Sequence, residues 1–76
     1  MDTREKVIDL LNQINPQITT DTEVNLLEAG YIDSFEVVNI VMEIEDAFGI
    51  EIDPEDIIPD NFQTISSIVS LVEKNA

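Results

Sequence analysis

The sequence predicts an all-α fold: a small four-helix bundle with a long first loop and a short third helix. Three observations carry that expectation. Apolar residues recur at helical spacing in three separate stretches, each stretch opens on a capping residue, and Ile50-Glu51-Ile52, which alternates like a strand, is too short to make a sheet alone. With 76 residues and 43% apolar content, the chain is long enough for one modest core. Residues 1–76 are read as a single domain, with no repeat or low-complexity segment.

The elements follow in order. Asp2-Thr3-Arg4-Glu5 reads as a capping box. Val7, Leu10, Leu11 and Ile14 then follow at helical spacing, and Pro16 ends that helix near Asn15. Residues 16–32 hold Pro16, Thr19, Thr20, Asp21, Thr22, Asn25 and Gly30, and read as a structured loop pinned by Ile18, Val24, Leu26 and Leu27. The second helix starts at Asp33, with Glu36 completing a capping box and Ile32 and Val37 placed as a hydrophobic staple. Gly49 closes it as a C′ residue. Val37, Val41, Ile44 and Phe48 form its core face, with Ile40 at the edge. Asp53-Pro54-Glu55-Asp56 starts a third element, which Pro59 stops after about one turn. Thr64 caps the last helix, where Ile65, Ile68, Val69 and Val72 repeat the core spacing.

Charge narrows the function. There are 17 acids and 3 bases, for a net charge of −14, and the bases are Arg4, Lys6 and Lys74. Such a chain repels nucleic acid and anionic membranes and attracts basic patches on proteins. It has no cysteine or histidine, which excludes a disulfide framework, a thiolate of its own and an ordinary zinc site. No D-x-[DN]-x-[DN]-G loop occurs, so a dedicated EF-hand is not expected, although Glu45, Asp46, Glu51, Asp53, Glu55 and Asp56 could hold cations loosely. There is no signal-peptide-like start and no spanning apolar run, so the expectation is a cytoplasmic, monomeric protein that does not insert into membranes.

Ser34 stands out within Gly30-Tyr31-Ile32-Asp33-Ser34-Phe35. A serine there is ordinarily a cap or first-turn residue. As a nucleophile it lacks a partner: the chain has no histidine, its lysines sit at the two ends of the sequence, and no catalytic residue is assigned. As an attachment point it fits, because a phosphodiester at that position would meet the positive end of the helix dipole and unpaired N–H groups.

These residues carry a family resemblance. Asp33-Ser34-Phe35, preceded by Leu27-x-x-Gly30-Tyr31-Ile32 and followed by Val37-Val38-x-Ile40-Val41-Met42-x-Ile44-Glu45-Asp46-x-Phe48-Gly49-Ile50-x-Ile52, resembles the acyl carrier proteins. The likeness runs over essentially the whole chain. It implies a non-catalytic carrier that holds acyl intermediates as thioesters on 4′-phosphopantetheine, which is transferred from coenzyme A to Ser34. Asp33 would be the motif acid facing the phosphopantetheinyl transferase and its Mg²⁺. The second helix would be the recognition helix. Its outer side holds Phe35, Asn39, Met42 and Asp46, with Val38 and Glu45 on the flank, facing basic patches on acyl-loading, condensing or transfer enzymes. A cavity for the acyl chain would be lined by Val41, Ile44, Ile57 and Ile65.

Two residues depart from the fatty-acid carriers of this family: Phe35 where those usually have leucine, and Asn39 where they usually have an acid. These departures point away from a housekeeping fatty-acid carrier, and a dedicated carrier for polyketide, aminoacyl or cell-envelope acyl transfer fits at least as well. The resemblance as a whole implies fatty-acid or specialised polyketide or lipid work, with an aminoacyl, peptidyl or D-alanyl carrier as the alternative. An unmodified docking module is a further alternative.

Overall fold

Each helix begins where a short polar side chain satisfies an amide that the helix itself leaves unbonded. The structure, a computed structural model, describes residues 2–18 and 23–75. Helix α1, Thr3–Ile14, is capped by Asp2, whose carboxylate accepts the Glu5 N–H at 2.8 Å. Helix α2, Ser34–Phe48, is capped the same way by Asp33, with the Glu36 N–H at 2.8 Å. Helix α3, Ile65–Asn75, is preceded by Thr64, whose hydroxyl accepts the Ser67 N–H at 3.0 Å. Helix α2 ends at Gly49 with φ +65°, and both the Gly49 and Ile50 amides donate to the Glu45 carbonyl. That left-handed cap costs a residue without Cβ nothing.

The chain is all-helical, with three α-helices and no strand among the described residues. The expected one-turn third helix is instead two 3₁₀ turns, Pro54–Asp56 and Pro59–Phe62. The first closes at Asp56, short of Pro59, and Pro59 instead starts the second from the first-turn position proline favours. The second turn buries Phe62 completely. Ile50-Glu51-Ile52 is irregular, with Ile52 buried and Glu51 exposed.

The core draws on every segment. Val7, Leu10 and Leu11 of α1, Val37, Ile40, Val41 and Ile44 of α2, and Ile65, Ile68, Val69, Leu71 and Val72 of α3 are buried, together with Ile18, Leu26, Ile32, Ile52 and Phe62 from the connections. Helix α1 packs on both α2 and α3, while the second 3₁₀ turn bridges α3 and α2. The Lys6 ammonium lies 5.3 Å from the Phe48 ring centroid, and the Asn15 side chain donates to the Tyr31 carbonyl at 3.1 Å, so α1 and α2 run antiparallel. The radius of gyration, 11.0 Å, is that of a compact chain of this length, about 11 Å.

Ile40, expected at the edge of the α2 core face, is completely buried, whereas Phe48 is half-buried under Lys6. The face is centred on Ile40 and Ile44, both completely buried, and α1 and the second 3₁₀ turn both pack on α2. Within the long loop, Asn25 folds residues 25–30 into a tight turn: its side-chain oxygen accepts the Leu27 and Glu28 amides, and its carbonyl the Ala29 amide. The Leu26 amide donates to the Gln63 carbonyl and ties this turn to the chain before α3. Thr19, Thr20, Asp21 and Thr22 lie outside the described residues.

Candidate functional site

The site is built at the N-terminal end of α2. Asp33 takes the cap, so Ser34 becomes the first helical residue, with an exposed side chain. Among the described residues its hydroxyl has no hydrogen-bond partner. The Ser34 and Phe35 amides lie ahead of the first intrahelical bond, which Val37 donates to the Asp33 carbonyl. They remain free to meet an anionic group. The turn at 25–30 and the buried Ile32 hold the approach to Asp33: the Tyr31 and Ile32 amides both donate to the Leu26 carbonyl.

Beside Ser34 opens a hollow of about 240 Å³, walled by Leu27, Val37, Val38, Ile57 and Pro59 and by Ser34 itself. Apart from Ser34 these walls are apolar. A second, wider hollow of about 620 Å³ lies further along α2, lined by Val41, Glu45, Glu51, Ile52, Asp53, Pro54, Ile57 and Asn75. Of the four expected cavity residues, Val41 lines the second hollow and Ile57 lines both. Ile44 and Ile65 are completely buried and line neither. Leu27, Val37, Val38 and Pro59 were not assigned to a cavity by the sequence, because helical periodicity does not report which loop crosses above a helix.

Five of the six residues expected on the outer side of α2 are exposed. Phe35 is 80% exposed, Val38 56% and Met42 62%, and Asn39 is exposed between them. Asp46 is exposed as well. Glu45 is different: it is half-buried, and its carboxylate accepts the Ile52 N–H at 3.0 Å, holding the chain that leaves α2. Ile58, at 43% exposure, adds an apolar group that the sequence had not singled out.

Among the described residues one ion pair forms, between Lys74 and Asp56 at 2.9 Å. It raises the Lys74 pKa above its ordinary 10.5 through the hydrogen bond and charge of Asp56, helped by the charges of Asp53 and Glu55. No cluster of three or more potential metal ligands occurs among the described residues, and no helix among them is long and apolar enough to cross a membrane.

The comparisons with known proteins fit this geometry. The profile described as "Phosphopantetheine attachment site" matches residues 3–72. This chain belongs to that family. It is similar to the D-alanyl carrier protein of Staphylococcus xylosus, at 36% identity over 97% of each chain. It is also similar to that of Staphylococcus saprophyticus, at 34% identity over 97% of each. No solved structure matches it. Membership makes the chain a non-catalytic carrier whose cofactor is covalently attached 4′-phosphopantetheine. The residues fit such a group: an unbonded serine hydroxyl, two free amides and an apolar hollow stand together at one helix end. When bound, the group supplies the thiol that this chain lacks. Carriers of this family work with phosphopantetheinyl transferases and acyl-transfer enzymes in general.

Proposed function

We propose that Ser34 is the attachment point of phosphopantetheine and that the cargo is an aminoacyl group, D-alanine first among candidates. The carrying observation for the attachment is the exposed, unbonded Ser34 hydroxyl at the mouth of the apolar hollow. Asp33 orients it by holding the cap, and its exposed carboxylate is the acid a transferase and its metal would meet.

The cargo reading rests on the full-length likeness to two D-alanyl carrier proteins. The interior agrees with a small cargo. Ile40, Ile44 and Ile65 are completely buried and line neither hollow, and the space beside Ser34 is about 240 Å³. The sequence placed fatty-acid, polyketide and lipid pathways ahead of an aminoacyl carrier. That order reverses, because phosphopantetheine carriers of all these pathways share one frame and differ at the partner-facing surface.

That surface is the outer side of α2. Phe35, Val38 and Met42 offer apolar contact, Asn39 and Asp46 polar contact, and α2 contains no base. Such a face suits an enzyme with an apolar patch rimmed by arginine or lysine. The two 3₁₀ turns take the place of the short third helix of a four-helix carrier bundle. The setting is cytoplasmic, where coenzyme A is at hand.

Intact mass tests the attachment. Incubation with coenzyme A and a phosphopantetheinyl transferase adds one phosphopantetheine to the wild type and none to Ser34→Ala. Loading of the alanine variant sinks the assignment. Cargo is tested on the loaded chain: an ATP-dependent ligase that activates D-alanine charges it, while malonyl and fatty-acyl transferases do not. The reverse result restores the fatty-acid or polyketide reading.

A further inference from the structure

The chain that leads into Ser34 is built as one closed turn. Asn25 opens it: its side-chain oxygen accepts the Leu27 amide at 3.1 Å and the Glu28 amide at 3.0 Å, and its carbonyl accepts the Ala29 amide at 2.9 Å. Gly30, at φ +81°, closes it. The Gly30 amide turns back to the Leu27 carbonyl and the Tyr31 amide to the Leu26 carbonyl, the nested pair of bonds that ends a helical turn at a left-handed glycine. The Ile32 amide donates to the same Leu26 carbonyl. Leu26 is the fixed point of this arrangement. Its side chain is completely buried, and its amide donates to the Gln63 carbonyl, in the chain that enters α3. A second tie joins the same two segments, with the Ser66 hydroxyl donating to the Glu23 carboxylate at 2.7 Å.

Little else orients Ser34. Its side chain is exposed, and its amide precedes the first intrahelical bond of α2, from Val37 to the Asp33 carbonyl. Val37 is also the first residue of α2 that is buried. Asp33 holds Ser34 from the helix side through the Glu36 amide, and the Leu26 carbonyl holds the residues before it. We propose that Asn25 is a positioning residue for attachment of the arm: the turn it opens places the Leu26 carbonyl, which sets the direction in which the Ser34 hydroxyl leaves α2. This rests on the reading of Ser34 as the attachment point. In that step the Ser34 oxygen bonds to the phosphorus that bears pantetheine, and the pyrophosphate bond of coenzyme A breaks. The adenosine bisphosphate leaves with the electron pair, and the serine proton passes to a base of the transferase. Attack at phosphorus runs in line with the leaving oxygen, so the rate depends on where the serine oxygen points. Docking depends instead on the exposed side of α2, which Asn25 does not touch. The role therefore shows in kcat and not in KM.

Loading kinetics and hydrogen exchange test this together. Asn25→Ala removes the acceptor of two amides, and Asn25→Asp keeps it. With coenzyme A and a phosphopantetheinyl transferase, Asn25→Ala should lower kcat about tenfold and leave the KM for the carrier within about twofold of wild type. Asn25→Asp should restore kcat. Ile68→Val trims a completely buried side chain of α3 and serves as the control for lost stability, and it should load as wild type does. A loss carried by KM alone, an equal loss in Ile68→Val, or no recovery in Asn25→Asp overturns the proposal. Exchange on the unloaded chain reads the turn without the arm. Asn25→Ala should quicken the Tyr31 and Ile32 amides, to which Asn25 is not bonded, about fivefold, with the Ile40 and Ile44 amides unchanged. Quickening confined to Leu27 and Glu28 marks a turn that acts only on itself and overturns the proposal as well. Loading of Ser34→Ala, by contrast, overturns the Ser34 reading and this role with it, even where the exchange pattern holds.

Discussion

Val37 and Val38 are neighbours on α2 with identical side chains, yet Val37 is 7% exposed and Val38 56%. The same contrast runs along the helix. Ile40, Val41 and Ile44 close the core, while Phe35 and Met42 stand in solvent at 80% and 62% exposure. One side of α2 uses apolar surface to fold the chain. The other leaves it uncovered at a cost in solubility, which the net charge of −14 offsets. An exposed apolar row beside an exposed serine contributes little to folding, and it is the ground for the docking role proposed above.

That contrast can be broken at several points. The largest effect is all-or-none: Ser34→Ala abolishes phosphopantetheine loading by intact mass and leaves the melting temperature within a few degrees of wild type. Next, Ile44→Ala removes a completely buried side chain. It should cost about 2–5 kcal/mol in a denaturant melt, a large share of what so small a domain holds. Phe35→Ala and Met42→Ala, by comparison, should shift stability by no more than about 0.5 kcal/mol. They should weaken binding of a cognate loading enzyme by about 1–2 kcal/mol, roughly five- to thirtyfold. If Phe35→Ala destabilises as Ile44→Ala does, the two sides of α2 do not differ in kind.

Smaller effects sharpen the picture at the helix ends. Asp33→Ala removes the acceptor of the Glu36 N–H and should lower stability by about 1 kcal/mol. Asp33→Asn keeps the cap and removes the charge, so a loading defect confined to charge separates the two roles of this residue. The smallest effect concerns Lys74. Its pKa is raised in the folded chain, so its contribution is fully present below the unfolded value near 10.5 and is lost as pH climbs through the folded value. The melting-temperature difference between wild type and Lys74→Met should therefore vanish on the alkaline side of that range.

The helices and their starts were legible in the sequence because they rest on local rules. Asp2, Asp33 and Thr64 each bond an amide three residues on, and Gly49 takes the left-handed turn that favours glycine. The Asn25 turn was legible by the same rule but was absorbed into a loop. The 59–62 turn was missed because Pro59 reads as a stop, whereas it takes the first position of a new turn. Glu45 looked like a docking acid from its place on the wheel. Only the path of the chain after Gly49 brings the Ile52 amide to it.

By itself, then, the sequence determined the starts of the three α-helices, the burial of Val37, Val41 and Ile44 on α2, the acidity and the exposed serine at N1, since capping and helical periodicity act within a few residues. Tertiary structure decided the rest. It laid residues 53–59 over α2, set Ile57 between two hollows and paired Asp56 with Lys74, eighteen residues away. Those contacts arise from where a connection crosses a helix, and no local pattern fixes that crossing. The crossing is decided by the shared burial of Phe62, Ile52 and the α2 and α3 core faces.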